Sequence, residues 1–209
     1  MDVQVRGNPA VVGLAGFGTT TLLLQLHNLG WCGSGVVFCT ALFFGGAAQL
    51  IAGFQEFKVG NNFGYSAFTA YGAFWLALAS IFLVLNLQGL PNSFIGAPLK
   101  ITATDIGCFL LVYTIYTGVM LIASLAVHLA MTLTFVTLLL GFIGLDLVFL
   151  EGMKSVLRVT AIDLIVCALL AFYMMGHAIF AQVFGKDIWP VGKPLVSKPL
   201  PLLSRAQAR

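Results

Sequence analysis

Residues 8–28, NPAVVGLAGFGTTTLLLQLHN, are the stretch that decides the fold. Asn8 is a favoured N-cap residue, and Pro9 fixes the backbone of a first helical turn without removing an N–H that the helix needs. The segment is mostly apolar and long enough to cross a bilayer, which takes about 20 residues. Three glycines and a run of threonines interrupt the apolar side chains. This pattern predicts a helix that packs closely inside a bundle, facing neighbours or a pore.

The composition of the whole chain indicates an integral membrane protein. Of the 209 residues, 60% are hydrophobic and only 8% are charged, whereas a soluble domain carries about 25% charged residues. A soluble enzyme is therefore disfavoured. The four cysteines form no CxxC pair, and the histidines, cysteines and carboxylates show no metal-ligand spacing. We expect no metal, no cofactor, no catalytic constellation and no nucleic-acid partner.

Six apolar segments predict an all-α membrane protein with six transmembrane helices. The predicted spans cover residues 9–28, 36–54, 66–85, 104–125, 129–150 and 159–183. Residues 1–185 are expected to form this transmembrane transporter domain, and residues 186–209 a polar, poorly ordered tail. The join between the fourth and fifth spans is so short that these two helices must form an antiparallel hairpin.

The distribution of lysine and arginine predicts the orientation in the membrane. With six spans, both termini lie on one side. That side collects seven of the ten basic residues, namely Arg6, Lys58, Lys186, Lys193, Lys198, Arg205 and Arg209, and the other side collects Lys100, Lys154 and Arg158. Because cytoplasmic loops are enriched in positive charge, we expect cytoplasmic termini. The protein should be multi-pass, in the plasma membrane, which is the inner membrane if the source is bacterial.

Polar side chains at membrane depth are functional candidates, because they are costly to bury in lipid. Gln49 lies mid-helix among glycines, and two interpretations stay open: a pathway-lining side chain, or a hydrogen bond between helices. At least one of Thr19, Thr20 and Thr21 is expected to contact a pathway, although each could instead bond to a carbonyl one turn earlier.

The remaining ionisable groups have more ordinary interpretations. Asp105 is best explained as a cap at the start of the fourth span, where a carboxylate complements the helix dipole. Asp146 and Asp163 lie near span ends. The three histidines, His27, His128 and His177, are more often interfacial anchors than proton relays. The start of the first helix offers free N–H groups and a positive dipole, so it predicts an anion station at the mouth of the pathway.

Specific motifs carry a resemblance to a known family. They are NPAVVGL at 8–14, FGGAAQ at 44–49, EFK at 56–58 and AFTAYGAFW at 67–75. In these motifs the chain resembles the acetate uptake transporter family, which includes the succinate–acetate permeases. The agreement is dense over the first 75 residues and sparse from 104 to 183. The chain departs from the family at Val11, in place of a second proline, and at Ala178 and Ala181, where the family usually has Glu and Asn.

The resemblance implies a transporter of acetate and related small carboxylates, with succinate as a further substrate. It leaves open whether members are proton-coupled symporters or anion channels. It also implies a homohexamer in membrane lipid, with the six transmembrane helices arranged around a pathway within each protomer. The implied hydrophobic constriction of that pathway is formed by Phe17, Tyr71 and Leu138. The expected substrate pathway comprises Asn8, Phe17, Thr20, Thr21, Gln49, Glu56, Thr69, Tyr71 and Leu138.

The physical chemistry of these side chains agrees with a small, partly apolar anion. Threonine hydroxyls, the Tyr71 phenol and the Gln49 amide can donate to a carboxylate, and a lining without lysine or arginine would release the anion readily. Two other classes remain. A channel for a small neutral solute such as urea or ammonia would have a similar architecture, and a membrane scaffold would need no pathway at all.

Overall fold

The computed structural model describes residues 7–90 and 99–197, and all regular secondary structure in these ranges is helical. Six helical segments are long and apolar enough to cross a membrane, which confirms the predicted six-span, all-α fold. The elements are α1 Ala10–Asn28, α2 Ser34–Leu42, a π-helical segment Phe43–Ala48, α3 Gln49–Lys58, α4 Asn62–Gln88, α5 Ala103–Ser124, α6 Leu129–Phe149, a 3-10 turn Lys154–Val156 and α7 Leu157–Phe184. The second span is α2, the π-helical segment and α3 in continuous succession.

The helices pack so that α1 lies inside the bundle. It contacts α7 on one side, and the π-helical segment and α3 on the other. Helix α4 packs against the second span, while α5 forms the predicted hairpin with α6, and α6 packs against α7. The inner faces of α1, α4, α6 and α7, together with Gln49 at the start of α3, therefore surround the interior of the bundle.

Bare glycine backbone allows α1 to approach its neighbours closely. A Cβ added to Gly16 would lie 2.5 Å from the carbonyl oxygen of Phe44 in the π-helical segment. On the other side of α1, a Cβ at Gly18 would lie 3.1 Å from the carbonyl oxygen of Ala168 in α7. The predicted close packing of these glycines is thus confirmed, and it wedges α1 between the second span and α7.

The boundary between the second and third spans differs from the prediction. The second span was expected to end at residue 54 and the third to begin at 66, but α3 continues to Lys58 and α4 begins at Asn62. Asn61 supplies the reason, because its Oδ1 accepts a hydrogen bond from the Gly64 N–H at 3.1 Å and caps α4. The connection between the two spans is consequently only a tight turn.

Side-chain caps mark two other helix starts as the sequence predicts. The Asn8 Oδ1 accepts a hydrogen bond from the Ala10 N–H at 3.0 Å, at the first turn of α1. At the start of α5, the Asp105 N–H donates to Thr102 Oγ1 at 3.3 Å, and Asp105 Oδ2 accepts from the Thr102 N–H at 2.8 Å. This reciprocal capping box confirms the structural interpretation of Asp105.

The segment after α7 is packed against the bundle, which corrects the predicted poorly ordered tail. Residues 187–196, here called the C-terminal strap, cross the start of α6. The Ala130 N–H donates to the Val191 carbonyl at 2.9 Å, and the Leu195 N–H donates to the Leu125 carbonyl at 2.9 Å. Trp189 stacks on Tyr173 of α7 with ring centroids 5.2 Å apart. Aromatic stacking and backbone hydrogen bonds thus hold the strap against the bundle. The composition of the segment does not predict these contacts. The rest of the predicted tail, residues 198–209, lies outside the described residues.

Candidate functional site

Two cavities lie inside the helix bundle, and the larger one is at the end where both termini emerge. This cavity, here called the vestibule, has a volume of about 530 Å³. Its lining includes Asn8 before α1 and Val191 of the C-terminal strap, which places it on the side of the termini. The polar side chains in its lining, apart from Tyr71, are Asn8, Gln49, Asn61, His128, Thr134 and His177.

The second cavity, here called the inner pocket, is small and nearly apolar. Its volume is about 30 Å³, enough for about one water molecule. Apolar side chains of four helices form most of its wall, namely Leu24, Phe74, Phe142, Leu145 and Leu164. Its polar lining, besides Tyr71, is limited to Thr21, Gln25 and Trp75.

Three side chains line both cavities and therefore separate them. Phe17 of α1, Tyr71 of α4 and Leu138 of α6 are 7%, 3% and 5% exposed, and each borders the vestibule on one side and the inner pocket on the other. The rings of Phe17 and Tyr71 meet edge to face, with centroids 6.0 Å apart. The three residues predicted to form a constriction are thus brought together at one level of the bundle.

The Tyr71 hydroxyl already has a partner. It is hydrogen-bonded to Thr117 Oγ1 of α5 at 2.9 Å, and the ring also contacts Tyr116 and Phe135. The aromatic face of Tyr71 is therefore held rigidly between the cavities. Its phenol, which the sequence analysis offered as a donor to a carboxylate, is engaged by α5.

Unpartnered polar groups occur on each side of the three-residue boundary. In the vestibule, Gln49 is fully buried, and neither its amide oxygen nor its amide nitrogen has a hydrogen-bond partner among the described residues. A buried polar group left without a partner costs about 1–3 kcal/mol. The alternative role for Gln49, a hydrogen bond between helices, finds no partner in the described part of the chain.

The inner pocket holds three more unpartnered groups. Thr21 Oγ1, Gln25 Nε2 and Trp75 Nε1 make no hydrogen bond to any residue that the structure describes. The other end of the Gln25 amide accepts from Asn28 Nδ2 at 2.9 Å, which fixes the amide so that its nitrogen remains available. Hydroxyl, amide and indole donors are thus concentrated in a pocket that is otherwise apolar.

Three residues predicted to lie on the pathway line neither cavity. Thr20 packs against Gly45 of the π-helical segment. Thr69 donates to the Tyr65 carbonyl at 2.6 Å, and its methyl group faces Gly53 of α3. Thr20 therefore packs against the π-helical segment, whereas the Thr69 hydroxyl is bonded within α4 and its methyl group packs against α3.

Glu56 lies one layer behind the vestibule wall. It is 2% exposed, and its Oε2 accepts from Asn61 Nδ2 at 2.7 Å. Asn61 itself lines the vestibule, so Glu56 orients a lining side chain and is not part of the lining. Glu56, which the sequence analysis placed on the pathway, therefore lines neither cavity.

The predicted anion station at the start of α1 is also corrected. The Ala10 N–H donates to Asn8 Oδ1, and the Val11 and Val12 N–H groups donate to the Asn8 and Pro9 carbonyls at 3.2 Å each. These N–H groups are already hydrogen-bonded within the turn. Asn8 nevertheless lines the vestibule.

The sequence analysis missed Gln25, Trp75, His128 and His177 as lining residues. A signal for the first two exists in the spacing. Thr21 and Gln25 follow Phe17 at intervals of four residues, and Trp75 follows Tyr71 at the same interval, so they share a helix face with the predicted constriction. No comparable signal exists for the histidines, whose position depends on the C-terminal strap and on the start of α6.

Comparison with known proteins assigns the chain to a family. A model of the GPR1/FUN34/yaaH family matches residues 2–185. The chain belongs to the GPR1/FUN34/yaaH family. The resemblance inferred from the sequence motifs is thereby confirmed.

Relatives in the GPR1/FUN34/yaaH family include named transporters. The succinate-acetate/proton symporter SatP of Escherichia coli is 33% identical over 189 residues, covering 89% of this chain and 95% of SatP. Acetate permease A of Emericella nidulans is 34% identical over 156 residues, covering 72% of this chain and 52% of the permease.

A solved structure shares the fold. The structure of the bacterial acetate channel SatP superposes with a TM-score of 0.81 at 33% identity, covering 90% of this chain and 99% of that one. The GPR1/FUN34/yaaH fold of this multi-pass membrane protein is therefore that of a solved channel, at nearly full length.

Proposed function

We propose that the protein carries acetate and related small carboxylates, succinate among them, across the membrane from one cavity to the other. One observation carries the proposal: Phe17, Tyr71 and Leu138 form a dry boundary with unpartnered polar groups on both sides of it. Gln49 offers an amide on the vestibule side, and the donors of the inner pocket lie on the other. The names of the relatives, a succinate-acetate/proton symporter and an acetate permease, support this substrate class.

The lining suits a cargo that is held weakly. No lysine or arginine is found among the lining residues of either cavity in the described ranges, so a carboxylate meets neutral donors only. Neutral donors compensate part of the lost hydration without trapping the anion, which is what conduction requires. The apolar walls of the inner pocket accommodate a methyl group.

We further propose that transport is coupled to protons. An unpaired carboxylate is far more costly to move through an apolar constriction than the neutral acid, and buried ionisable groups tend to neutralise instead. The acid form would therefore pass Phe17, Tyr71 and Leu138 at a much lower free energy than the anion. The vestibule would face the cytoplasm, since it lies on the side of the termini and that side carries most of the basic residues.

The protein would act in the plasma membrane, the inner membrane of a bacterium, as a homohexamer of six-helix protomers. Support for contacts beyond one protomer comes from the outer face of α5, where Val112, Ile115, Val119 and Ile122 are each more than 60% exposed. Such a face needs lipid or another protomer. We propose a transport role without catalysis, which the names of the relatives, a symporter and a permease, support.

Flux measurements test this function. Labelled acetate is followed into proteoliposomes with and without an inward proton gradient, and protein-free liposomes give the passive leak. We expect protein-dependent uptake that the gradient accelerates, and competition by unlabelled acetate and succinate. Competition by urea without competition by acetate would instead favour the neutral-solute channel, which the names of the relatives do not favour. Acetate flux equal to that of protein-free liposomes would contradict the proposal.

A further inference from the structure

Two imidazoles lie in the vestibule, and their roles are not explained by the pathway described so far. His128 and His177 both line this cavity. Apart from the Tyr71 phenol, they are the titratable side chains found in its lining within the described residues. Histidine is the side chain whose charge changes between about pH 5 and 8 without any perturbation. These two side chains are therefore available for proton exchange in the vestibule near neutral pH.

The contacts of His177 determine which of its nitrogens carries the proton. Its Nδ1 lies 3.0 Å from Asp187 Oδ1 and 2.7 Å from the Trp189 carbonyl oxygen, both in the C-terminal strap. A carboxylate and a carbonyl only accept hydrogen bonds, so Nδ1 must be the N–H of the neutral ring. The lone pair is then on Nε2, the ring nitrogen that neither of these strap contacts uses.

The contacts of His128 require the opposite tautomer. His128 is the N-cap of α6, and its Nδ1 accepts a hydrogen bond from the Met131 N–H at 3.1 Å. Because Nδ1 accepts, the proton of the neutral ring must be on Nε2. One imidazole of the vestibule is thus a donor and the other is an acceptor.

A protonated carboxylic acid is complementary to such a pair, since it has one carbonyl oxygen that accepts and one O–H that donates. We propose that His177 and His128 form a proton-exchange station for the carboxylic acid cargo, with His177 Nε2 as the proton acceptor and His128 Nε2–H as the donor that holds the carboxylate. This inference rests on the proposed transport of small carboxylic acids.

The exchange balances as a single proton transfer. An acid that has crossed the constriction breaks its O–H bond and gives the proton to His177 Nε2. The products are a carboxylate, held by the His128 N–H, and an imidazolium, whose positive charge is stabilised by the Asp187 carboxylate. The carboxylate leaves into solution, and the imidazolium then gives its proton to water at the vestibule mouth. Cargo moving the other way takes the proton from the imidazolium by the reverse steps.

The surroundings of His177 favour one proton at a time. Asp187 faces it from the C-terminal strap and stabilises its charged form, whereas His128 faces it from the start of α6 and disfavours a second positive charge nearby. Trp189 keeps the strap in place by stacking on Tyr173, whose hydroxyl donates to the Pro190 carbonyl at 3.0 Å. Asp187 and the strap are therefore positioning elements for His177.

The test measures acetate flux against pH with the full-length protein in proteoliposomes, from about pH 5 to 8, where imidazole titrates. The wild-type rate should show an inflection in this range. His177→Gln should lose the inflection and lower the rate near neutral pH by about 10-fold or more, as expected when a positioned acid–base group is removed. Asp187→Asn should also lower the rate near neutral pH, because His177 loses the carboxylate that lies 3.0 Å from its Nδ1.

Two further variants make the result specific. His128→Asn keeps an N-cap on α6, but its shorter amide places no donor where His128 Nε2–H lay, so it should raise the acetate concentration for half-maximal flux and keep the inflection. His27→Gln is the matched control, because His27 contacts the Cys32 carbonyl at 2.9 Å and lines neither cavity; its profile should equal that of the wild type.

The outcomes separate this inference from the proposed function. If the wild type carries no acetate, the proposed function fails and the station fails with it. If the wild type carries acetate and His177→Gln keeps its rate and inflection, only the station is refuted. Should His177→Gln not purify as a folded protein, Asp187→Asn decides, since an unchanged rate near neutral pH in that variant would overturn the role of His177.

Discussion

The rings of Phe17 and Tyr71 meet edge to face, with centroids 6.0 Å apart, at the boundary between the vestibule and the inner pocket. One ring belongs to α1 and the other to α4, and the position of each is fixed by a different neighbour. Glycines press α1 against the second span and α7, and the Tyr71 hydroxyl is hydrogen-bonded to Thr117 of α5. The narrowest point of the proposed pathway is therefore held by the packing of the bundle.

Replacing Gly16 with alanine should destabilise the protein. The added methyl group would lie 2.5 Å from the Phe44 carbonyl oxygen, which is backbone and has little freedom to move. Overpacking of this kind costs about 1–3 kcal/mol, and we expect a lower melting temperature in detergent. Gly118 of α5 is the matched control, since no atom lies within 4 Å of an added Cβ there. Equal melting temperatures for Gly16→Ala and Gly118→Ala would contradict the account of α1 packing.

Removing the Gln49 amide should weaken acetate binding. A hydrogen bond to a charged group contributes about 1.5–3 kcal/mol, so Gln49→Ala should raise the half-saturating acetate concentration by about 10- to 140-fold. Gln55→Ala is the control on the same helix, because Gln55 is exposed and lines neither cavity. If half-saturation and maximal flux in Gln49→Ala both equal those of the wild type, Gln49 has only a structural role.

The sequence predicted the number of spans and two of the helix starts, because these depend on the length of the apolar segments and on local capping residues. Six apolar segments predict six spans, and the cap signals at Asn8 and Asp105 depend only on neighbouring residues. The constriction was predicted from the resemblance, and the structure brings its three members together. The polar residues that line the inner pocket, Thr21, Gln25 and Trp75, lie at four-residue intervals after Phe17 and Tyr71, and this spacing is visible in the sequence.

The remaining features depend on long-range packing that a sequence does not display. Thr20 and Thr21 are adjacent, and only the rotation of α1 between its neighbours decides that Thr21 faces the inner pocket while Thr20 faces Gly45. Glu56 lies behind Asn61 because α3 continues past its predicted end. The C-terminal strap is held by Trp189 and by backbone contacts to the α5–α6 turn, which composition predicts as a polar tail.

Replacing Thr21 with valine should lower acetate flux without lowering stability. Valine has nearly the same shape, and the Thr21 hydroxyl has no partner in the described part of the chain, so its loss leaves no other group unsatisfied. Thr40→Val serves as control, because the exposed Thr40 hydroxyl only donates to the Val36 carbonyl. A fall in flux that merely parallels a fall in melting temperature would show that Thr21 is a packing residue.

Stability should depend on pH through His128, which lies outside the spans. Burial, and then the nearby His177, lower the pKa of His128 below its usual value, which is about 6.5 in an unfolded chain. Between the lowered pKa and about 6.5, the unfolded chain binds more protons, so stability rises with pH across this window. The contribution of His128 to stability is fully present above this window and is lost as the pH falls through the lowered pKa.

The matched variant for this dependence is His128→Asn, which retains an N-cap for the Met131 N–H but does not titrate. Melting temperature is measured against pH for both proteins, and the variant should show the shallower loss on the acid side. Identical slopes would mean that His128 does not control the acid sensitivity of the fold.

The central claim, that Phe17, Tyr71 and Leu138 select the cargo, is tested most directly by the ratio of succinate to acetate flux in Leu138→Ala. Truncation widens the boundary between the cavities, so we expect this ratio to rise, and to rise also in Phe17→Ala. Leu110→Ala is the control, because Leu110 is buried to 3% exposure in α5 and lines neither cavity; it should lose about 2–5 kcal/mol of stability with an unchanged ratio. A ratio equal to that of the wild type in both Leu138→Ala and Phe17→Ala, normalised to folded protein, would contradict the claim.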